Sequence, residues 1–141
     1  MGAKRNYVMN IQDHINSSSR SGTIDFVIEE RHEDYVVSSM PVTKGVCNPF
    51  GTVQAGALIW LADVTASVLA IGKREIGPDG KGFPLAVNLH TALLSNQRDG
   101  TIRAEARFVR KGQNVLVIRT RITGNKDRLL AEITSTHVLA V

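Results

Sequence analysis

A chain of 141 residues is long enough for one domain with a real core, and its 43% hydrophobic and 21% charged residues are typical of a globular protein. The net charge of +4 allows an anionic partner such as a phosphorylated small molecule, but the basic residues form no stripe and do not alternate with aromatic residues, so we expect no nucleic-acid partner. The single Cys47 excludes an internal disulfide, and residues 1–21 contain no apolar run of signal-peptide length, so we expect a cytoplasmic protein with no membrane partner.

Residues 1–22 are polar, and the stretch from Ser17 to Gly22 is typical of a loop. A short helix around Met9 to Asn16 is the only regular element predicted there. We therefore distinguish an N-terminal polar segment, residues 1–22, from a single domain that covers residues 23–141.

The domain begins with two predicted strands. β-branched residues favour strands over 24–30 and 34–42, with a break at 31–33. Residues Asn48 to Gly51 then form a turn signal that leads into a predicted helix over 57–71.

The predicted helix is apolar nearly all round, which is typical of a helix inside a domain. It is too short to span a bilayer, and Gly72 supplies a C-terminal stop. Its only ionisable side chain is Asp63. A carboxylate in an apolar helix is costly unless the protein uses it, so Asp63 is the first candidate for a functional residue.

Four segments after the helix alternate apolar and polar residues with a period of two, which predicts strands over 83–95, 101–110, 115–123 and 129–141. Because turns that contain glycine separate them, the sequence predicts an antiparallel meander. A long apolar helix needs a cover, and a twisted antiparallel sheet with one apolar face supplies it. The expected fold is therefore α+β, with an antiparallel twisted sheet wrapped around one long central helix.

One run of residues, together with these strands, resembles a known family. The run is Asn48, then Gly51-Thr-Val-Gln-Ala-Gly56, then Leu61-Ala-Asp63. It is similar to that of the hotdog-fold acyl-CoA thioesterases and comes closest to the phenylacetate-degradation type. The resemblance covers roughly residues 24–141, and its motif is more specific for the superfamily than for a substrate.

The resemblance implies a hotdog fold and a homodimer or homotetramer (a dimer of dimers) with active sites at the subunit interface. It implies hydrolysis of a coenzyme A thioester without a metal and without any cofactor beyond the coenzyme A of the substrate. The implied catalytic residues are Asp63 as nucleophile or general base, the backbone N–H of Ala55 with Gly56 behind it, Asn48 as an orienting group, and Ser67, which holds water in the site of the partner subunit. The implied substrate-binding residues, along the nucleotide end, are Leu94, Ser95, Asn96, Arg110, Lys111, Gly112 and Gln113.

General chemistry supports these roles. A helix N-terminus offers free N–H groups and a favourable dipole to a developing oxyanion. The small residues Ala55 and Gly56 let an acyl group approach the backbone closely. Asp63 and Ser67 are four residues apart and share one helix face, and Gly56 lies two turns earlier on the same side. We therefore expect the acid, the hydroxyl and the donor in one line.

The chain departs from the family at Gln54-Ala55-Gly56, where His-Gly-Gly is usual. Alanine keeps the backbone donor, but Gln54 cannot carry a proton near neutral pH as a histidine can. If that histidine normally assists departure of the thiolate, we expect slow turnover here. Coenzyme A thiolate is, however, an adequate leaving group even without full protonation. We therefore predict a thioester hydrolase. The alternatives are an acyl-CoA-binding hotdog dimer with little or no turnover and an interaction subunit without a ligand.

The candidates also have purely structural interpretations. Asp63 could be a buried acid held at an interface, Asn48 a turn residue, and Ser67 a helix residue bonded to its own backbone. Gln54 could cap the helix, and Arg110 and Lys111 could form a solvated strand end. The four histidines have no metal-ligand spacing, so we expect no metal site. No histidine close in sequence activates Cys47 as a nucleophile.

Overall fold

The computed structural model describes residues 10–18 and 21–139, and within them two α-helices and six strands. In chain order these are α1 (Ile11–Ser17), β1 (Val27–Arg31), β2 (Tyr35–Pro41), α2 (Ala55–Ile71), β3 (Pro84–Leu93), β4 (Thr101–Lys111), β5 (Val115–Thr123) and β6 (Leu129–Leu139). The α+β class is confirmed. Met9 of the predicted N-terminal helix and residues 140–141 of the last predicted strand lie outside the described residues.

The strands form one antiparallel sheet in the order β1-β2-β4-β5-β6-β3. Strands β4, β5 and β6 form a meander as predicted, but the prediction is wrong for β3, which pairs with β6 at the edge of the sheet. Alternation with a period of two identifies a strand but not its neighbours. The loop after β3 crosses the end of the sheet instead of folding into a hairpin, and the backbone N–H groups of Leu94 and Ser95 both donate to the Leu130 carbonyl.

Helix α2 packs against strands β2 to β6. It begins two residues earlier than predicted, at Ala55, and ends at Ile71, where Gly72 follows with a positive φ of 55° that suits a glycine. The side chains that face the sheet are buried, and they are Ala57, Leu58, Leu61, Ala62, Thr65, Ala66, Leu69 and Ala70. The opposite side of α2 is half-buried and carries Asp63 and Ser67.

The edge strand β3 leaves large apolar side chains exposed. Leu85 is 54% exposed, Val87 61% and Leu93 52%. Because the register shifts between Ala86 and Asn88, Leu85 and Leu93 lie on opposite faces of the sheet, and both are uncovered within a single chain. An exposed apolar edge strand is typical of a surface that associates with another chain.

The short helix α1 lies within the N-terminal segment defined from the sequence. Among the described residues, one side-chain hydrogen bond joins α1 to the domain, between His14 Nε2 and the Pro49 carbonyl oxygen, which lie 2.9 Å apart. The His14 ring also lies 5.1 Å from the Phe50 ring. The division at residue 23 stays a prediction.

Candidate active site around the helix carboxylate

The start of α2 presents two free backbone donors. The carbonyl of Gln54 accepts hydrogen bonds from the N–H groups of Ala57 (3.1 Å) and Leu58 (3.3 Å). The N–H groups of Ala55 and Gly56 have no acceptor among the residues that the structure describes, and both residues are exposed. A Cβ added at Gly56 would meet no atom within 4 Å. The helix start therefore offers donors, a favourable dipole and open space to a ligand oxygen.

The turn before the helix is held by Asn48. Its Oδ1 accepts from the N–H groups of Phe50 (2.9 Å) and Thr52 (3.2 Å), and its Nδ2 donates to Thr52 Oγ1 at 2.7 Å. The structural interpretation of Asn48 is thus realised. Its role in orienting water or the acyl group stays a prediction.

The side chain of Gln54 does not cap the helix, so that structural interpretation is wrong. Its Nε2 instead donates to the Cys47 carbonyl at 3.3 Å, while its backbone N–H donates to the Val46 carbonyl at 2.9 Å. The exposed Gln54 side chain therefore lies beside the free donors of Ala55 and Gly56.

Asp63 and Ser67 lie on the half-buried side of α2, away from the sheet-facing stripe. Neither side chain makes a hydrogen bond to any described residue. The buried Thr65 Oγ1, in contrast, donates to the Leu61 carbonyl at 2.6 Å. The interpretation of Ser67 as bonded to its own backbone is therefore not observed, and no described residue neutralises the Asp63 carboxylate.

The acid and the donors of one chain are too far apart to act on one carbonyl. From Ala55 to Asp63 the helix rises by about 12 Å, and its N–H bonds point away from Asp63, toward the helix N-terminus. An oxygen bound by these donors therefore lies beyond the helix start. The alignment of the three groups along one face stays a prediction from helix spacing, and a single chain does not bring the acid and the donors together.

The two predicted substrate-binding segments lie at opposite ends of α2. Asn96 is near the helix start, because its Nδ2 donates to the Val53 carbonyl at 2.8 Å and its Oδ1 accepts from the Val53 N–H at 3.1 Å. Lys111, at the β4–β5 turn, lines a cleft beside Gly72 and Lys73, which follow the helix end. One chain therefore does not bring the two segments together.

The cleft at the end of α2 has a volume of about 870 Å³ and is rich in positive charge. Its cationic side chains are Arg31, Lys73, Arg74 and Lys111. Its one carboxylate, Glu33, is hydrogen-bonded to Lys73, which lowers the pKa of Glu33 and raises the pKa of Lys73. Such a cleft suits an anionic group such as a phosphate.

A buried histidine that the sequence analysis did not single out lies beneath α2. His137 is 0% exposed, its Nε2 lies 2.8 Å from Ser135 Oγ, and its Nδ1 has no partner among the described residues. Burial lowers the pKa of His137, and the charge of Asp63 acts in the opposite direction. The alternation of the last strand could have revealed it, because Ser135 and His137 continue the inward series of Ala131 and Ile133.

Within the described ranges, no three His, Cys, Asp or Glu side chains lie close enough together to hold a metal ion. No helix in the same part of the chain is long and apolar enough to cross a membrane.

No protein-family model matches the chain. The 1,4-dihydroxy-2-naphthoyl-CoA hydrolase of Listeria monocytogenes is 30% identical to it over 108 residues, which cover 77% of this chain and 85% of the relative. Two solved structures at 26% identity share the fold. A thioesterase variant from Staphylococcus aureus matches with a TM-score of 0.76, over 82% of this chain and 93% of that chain. A phenylacetic-acid-degradation-related protein from Ralstonia eutropha matches with a TM-score of 0.72, over 81% and 84%.

A six-stranded antiparallel sheet of this order, with a long helix on one face, is the hotdog fold of these structures. The chain belongs to the hotdog-fold acyl-CoA thioesterase superfamily, of the phenylacetate-degradation type. The family predicted from the run between Asn48 and Asp63 is confirmed.

Proposed function

We propose that the protein is an acyl-CoA thioesterase that hydrolyses a thioester to a free acid and coenzyme A, with Asp63 as general base or nucleophile. The proposal rests on the half-buried Asp63 carboxylate, which has no hydrogen-bond partner among the described residues, and on the first two N–H groups of α2, which are free within the same ranges. The hydrolase name of the Listeria relative supports a coenzyme A thioester as the substrate.

The working site draws on two subunits. Because the donors at Ala55 and Gly56 lie about 12 Å or slightly less along α2 from Asp63, the second contributor has to be another chain. The exposed apolar residues of β3 supply a surface for such a partner, since two edge strands can pair and extend the sheet. In this homodimer α2 is the central helix of each subunit, and its half-buried side faces the partner. Two such dimers can join into a tetramer.

In the proposed reaction the Ala55 and Gly56 N–H groups of one subunit bind the thioester carbonyl oxygen. Asp63 of the partner subunit takes a proton from water, and the water oxygen forms a bond to the carbonyl carbon. The carbonyl oxygen becomes an oxyanion that the donors stabilise, and loss of one such donor typically costs about 3 kcal/mol. The carbonyl then re-forms as the carbon–sulfur bond breaks, and the thiolate leaves with the electron pair and takes up, through solvent, the proton that Asp63 accepted from water.

The alternative covalent route uses the same residues. In it the Asp63 carboxylate attacks the carbonyl carbon, the thiolate leaves, and water then hydrolyses the acyl–Asp63 anhydride. Ser67 and Asn48 are proposed to hold the reacting water and the acyl group in either route. Gln54 can donate a hydrogen bond near the carbonyl but cannot supply the proton that the thiolate takes up.

Positive charge supports the placement of the nucleotide end. We assign the coenzyme A phosphates to the segments Leu94–Asn96 and Arg110–Gln113, with Lys73 and Arg74 beside the second segment. A two-subunit site removes the difficulty that these segments lie at opposite ends of α2 in one chain, because each end can come from a different subunit.

A thiol-release assay over short, medium, long and aromatic acyl-CoAs tests the proposal. We expect release with at least one class and a loss of roughly 10²- to 10⁴-fold in kcat for Asp63→Asn. Asp79→Asn, in the exposed loop after α2, is the matched control and should retain full activity. An Asp63→Asn protein as active as the wild type would exclude this role of Asp63.

Gln54 favours one second candidate, an acyl-CoA-binding dimer with little turnover, because the residue cannot carry a proton near neutral pH. A melting assay separates the two functions. Protection by acyl-CoA without thiol release supports the binding protein, whereas release that depends on Asp63 supports the enzyme.

A further inference from the structure

We propose that Trp60, braced by Phe26, is the specificity-determining residue that closes the acyl pocket and limits the length of the acyl group. The inference rests on the proposed function and deepens it, because it names the side chain of the same site that selects among thioesters. Trp60 is the only tryptophan of the chain, and it has the largest side chain on the half-buried side of α2.

Trp60 lies between the donors and the acid along α2. It comes four residues after Gly56 and three before Asp63, and this spacing places the three residues on one face of the helix. Because helical side chains lean toward the N-terminus of their helix, the Trp60 ring leans toward Gly56 and away from Asp63 of its own chain. A Cβ added at Gly56 would meet no described atom within 4 Å, so the space beside Gly56 is open to a ligand. Trp60 therefore borders the site that its own helix start supplies.

Phe26, just before β1, braces the Trp60 ring. The two ring centroids are 5.4 Å apart with an interplanar angle of 89°, the edge-to-face arrangement that aromatic pairs favour. Both rings are half-buried and pack against the core cluster that includes Leu58. The segment before Phe26 is itself held in place, because the Thr43 hydroxyl donates to the Thr23 carbonyl at 3.2 Å. The indole is therefore a preformed apolar wall that is still partly exposed.

The symmetry of the proposed dimer puts Trp60 between the two active sites. Each site combines the donors of Ala55 and Gly56 in one chain with Asp63 of the other. The two α2 helices therefore run antiparallel, and the twofold axis passes near the midpoint between the donors and the acid. That midpoint falls at Ile59, one residue from Trp60. Two Trp60 rings, one from each subunit, thus separate the two acyl groups.

The acyl group of a bound thioester runs toward this wall. The proposed function places part of the nucleotide end at Leu94–Asn96, beside the helix start, which leaves the direction along α2 for the acyl group. From Gly56 to Trp60 the helix rises by about 6 Å. A short acyl group fits within this distance, whereas a long chain meets the indole ring. We therefore expect short acyl-CoAs to be better substrates than long ones.

The fluorescence of the single tryptophan tests the location without reference to activity. S-butyl-CoA, a thioether that cannot be hydrolysed, should shift the Trp60 emission to shorter wavelength, because its alkyl chain displaces water from the ring. Coenzyme A alone should not shift it, and calorimetry establishes that both ligands are bound. An unmoved emission with bound S-butyl-CoA, or an equal shift with coenzyme A alone, would overturn the inference. Failure of both ligands to bind would overturn it together with the proposed substrate.

Enzyme variants test the selection by length. Trp60→Ala removes the ring and makes room for further methylene groups, so we expect the ratio of kcat/KM for decanoyl-CoA to that for butanoyl-CoA to rise roughly tenfold or more. Phe26→Ala should raise this ratio by a smaller factor, and Trp60→Phe should lie between the wild type and Trp60→Ala. Phe108→Ala is the matched control, because it removes a half-buried ring that packs against the other core cluster. It should leave the ratio unchanged, since the two substrates share their coenzyme A.

A purely structural role of Trp60 predicts another pattern, in which Trp60→Ala and Phe108→Ala each lower kcat/KM for both substrates by the same factor. That pattern overturns the inference, while a loss of activity in Asp63→Asn still supports the proposed function. If Trp60→Ala does not fold, Trp60→Leu replaces it, with the same direction of change and a smaller size. If Asp63→Asn is fully active, the proposed role of Asp63 fails, and the emission with S-butyl-CoA still decides whether the acyl group lies against Trp60.

Discussion

The side-chain amide of Asn96 binds both backbone polar groups of Val53, donating to its carbonyl at 2.8 Å and accepting from its N–H at 3.1 Å. Val53 is buried and lies two residues before the first residue of α2. Together with the hydrogen bond from the Val53 N–H to the Gln97 carbonyl at 3.3 Å, this contact fixes the crossover loop after β3 against the segment that sets the position of the free helix donors.

Removal of this contact should destabilise the protein and the site together. Asn96→Ala leaves buried backbone groups of Val53 without their side-chain partner, so we expect the free energy of unfolding to fall by about 1–3 kcal/mol. Urea unfolding measures the change. Asn114→Ala removes an exposed side chain of the same kind and should have little effect, and equal losses in the two variants would contradict the account.

The backbone donor of Ala55 can be removed with little change in the helix. Proline is favoured at the first position of a helix, and Gln54, with φ −66° and ψ 143°, has the extended conformation required before a proline. We expect Ala55→Pro to keep its unfolding midpoint and to lose about 10²- to 10³-fold in kcat, as for other oxyanion donors. Ala55→Gly keeps the N–H and serves as the control. If both variants are equally active, the Ala55 donor has no catalytic role.

The exposed edge of β3 should be the dimer surface. Val87→Glu places a charge on its most exposed large apolar residue, at 61%, and should shift the protein to monomers and abolish thiol release. Val109→Glu changes a similarly exposed residue of β4 and should leave the dimer intact. Sedimentation velocity measures the assembly, and an unchanged dimer in Val87→Glu would rule out this edge.

The buried imidazole should make stability depend on pH. Because burial lowers the pKa of His137 below its ordinary value near 6.5, the unfolded chain binds a proton more readily than the folded chain. The free energy of unfolding should therefore fall as the pH drops below about 6.5, until the folded protein is also protonated. Urea unfolding at several pH values should show a smaller fall in His137→Asn. Identical slopes would mean that His137 does not contribute.

The sequence was sufficient for the elements and the family because both depend on local patterns. The apolar run before Gly72 identified α2, and the lone Asp63 within it identified the candidate acid. β-branched residues located β1 and β2, and alternation located the four later strands, each to within a few residues, since successive side chains of a strand point to opposite faces.

Pairing and distance could not be predicted in the same way. Strands pair through their backbones, so the side-chain pattern of β3 does not reveal whether β4 or β6 is its neighbour. The spacing of Gly56 and Asp63 predicts a shared face of the helix, but the rise of the helix separates the two groups along its axis. The alternation of β6 indicates that His137 faces inward, but its complete burial and the unpaired Nδ1 become evident only after β6 packs against α2.

Mixed dimers test most directly the claim that one site combines the helix donors of one subunit with Asp63 of the other. Ala55→Pro and Asp63→Asn chains are co-expressed with different tags, and the heterodimer is purified and assayed for thiol release. The account predicts about half the activity of a wild-type dimer, because one of the two symmetric sites is intact while both homodimers are inactive. A heterodimer as inactive as its parents would contradict the account, because it would mean that each site takes both groups from a single chain.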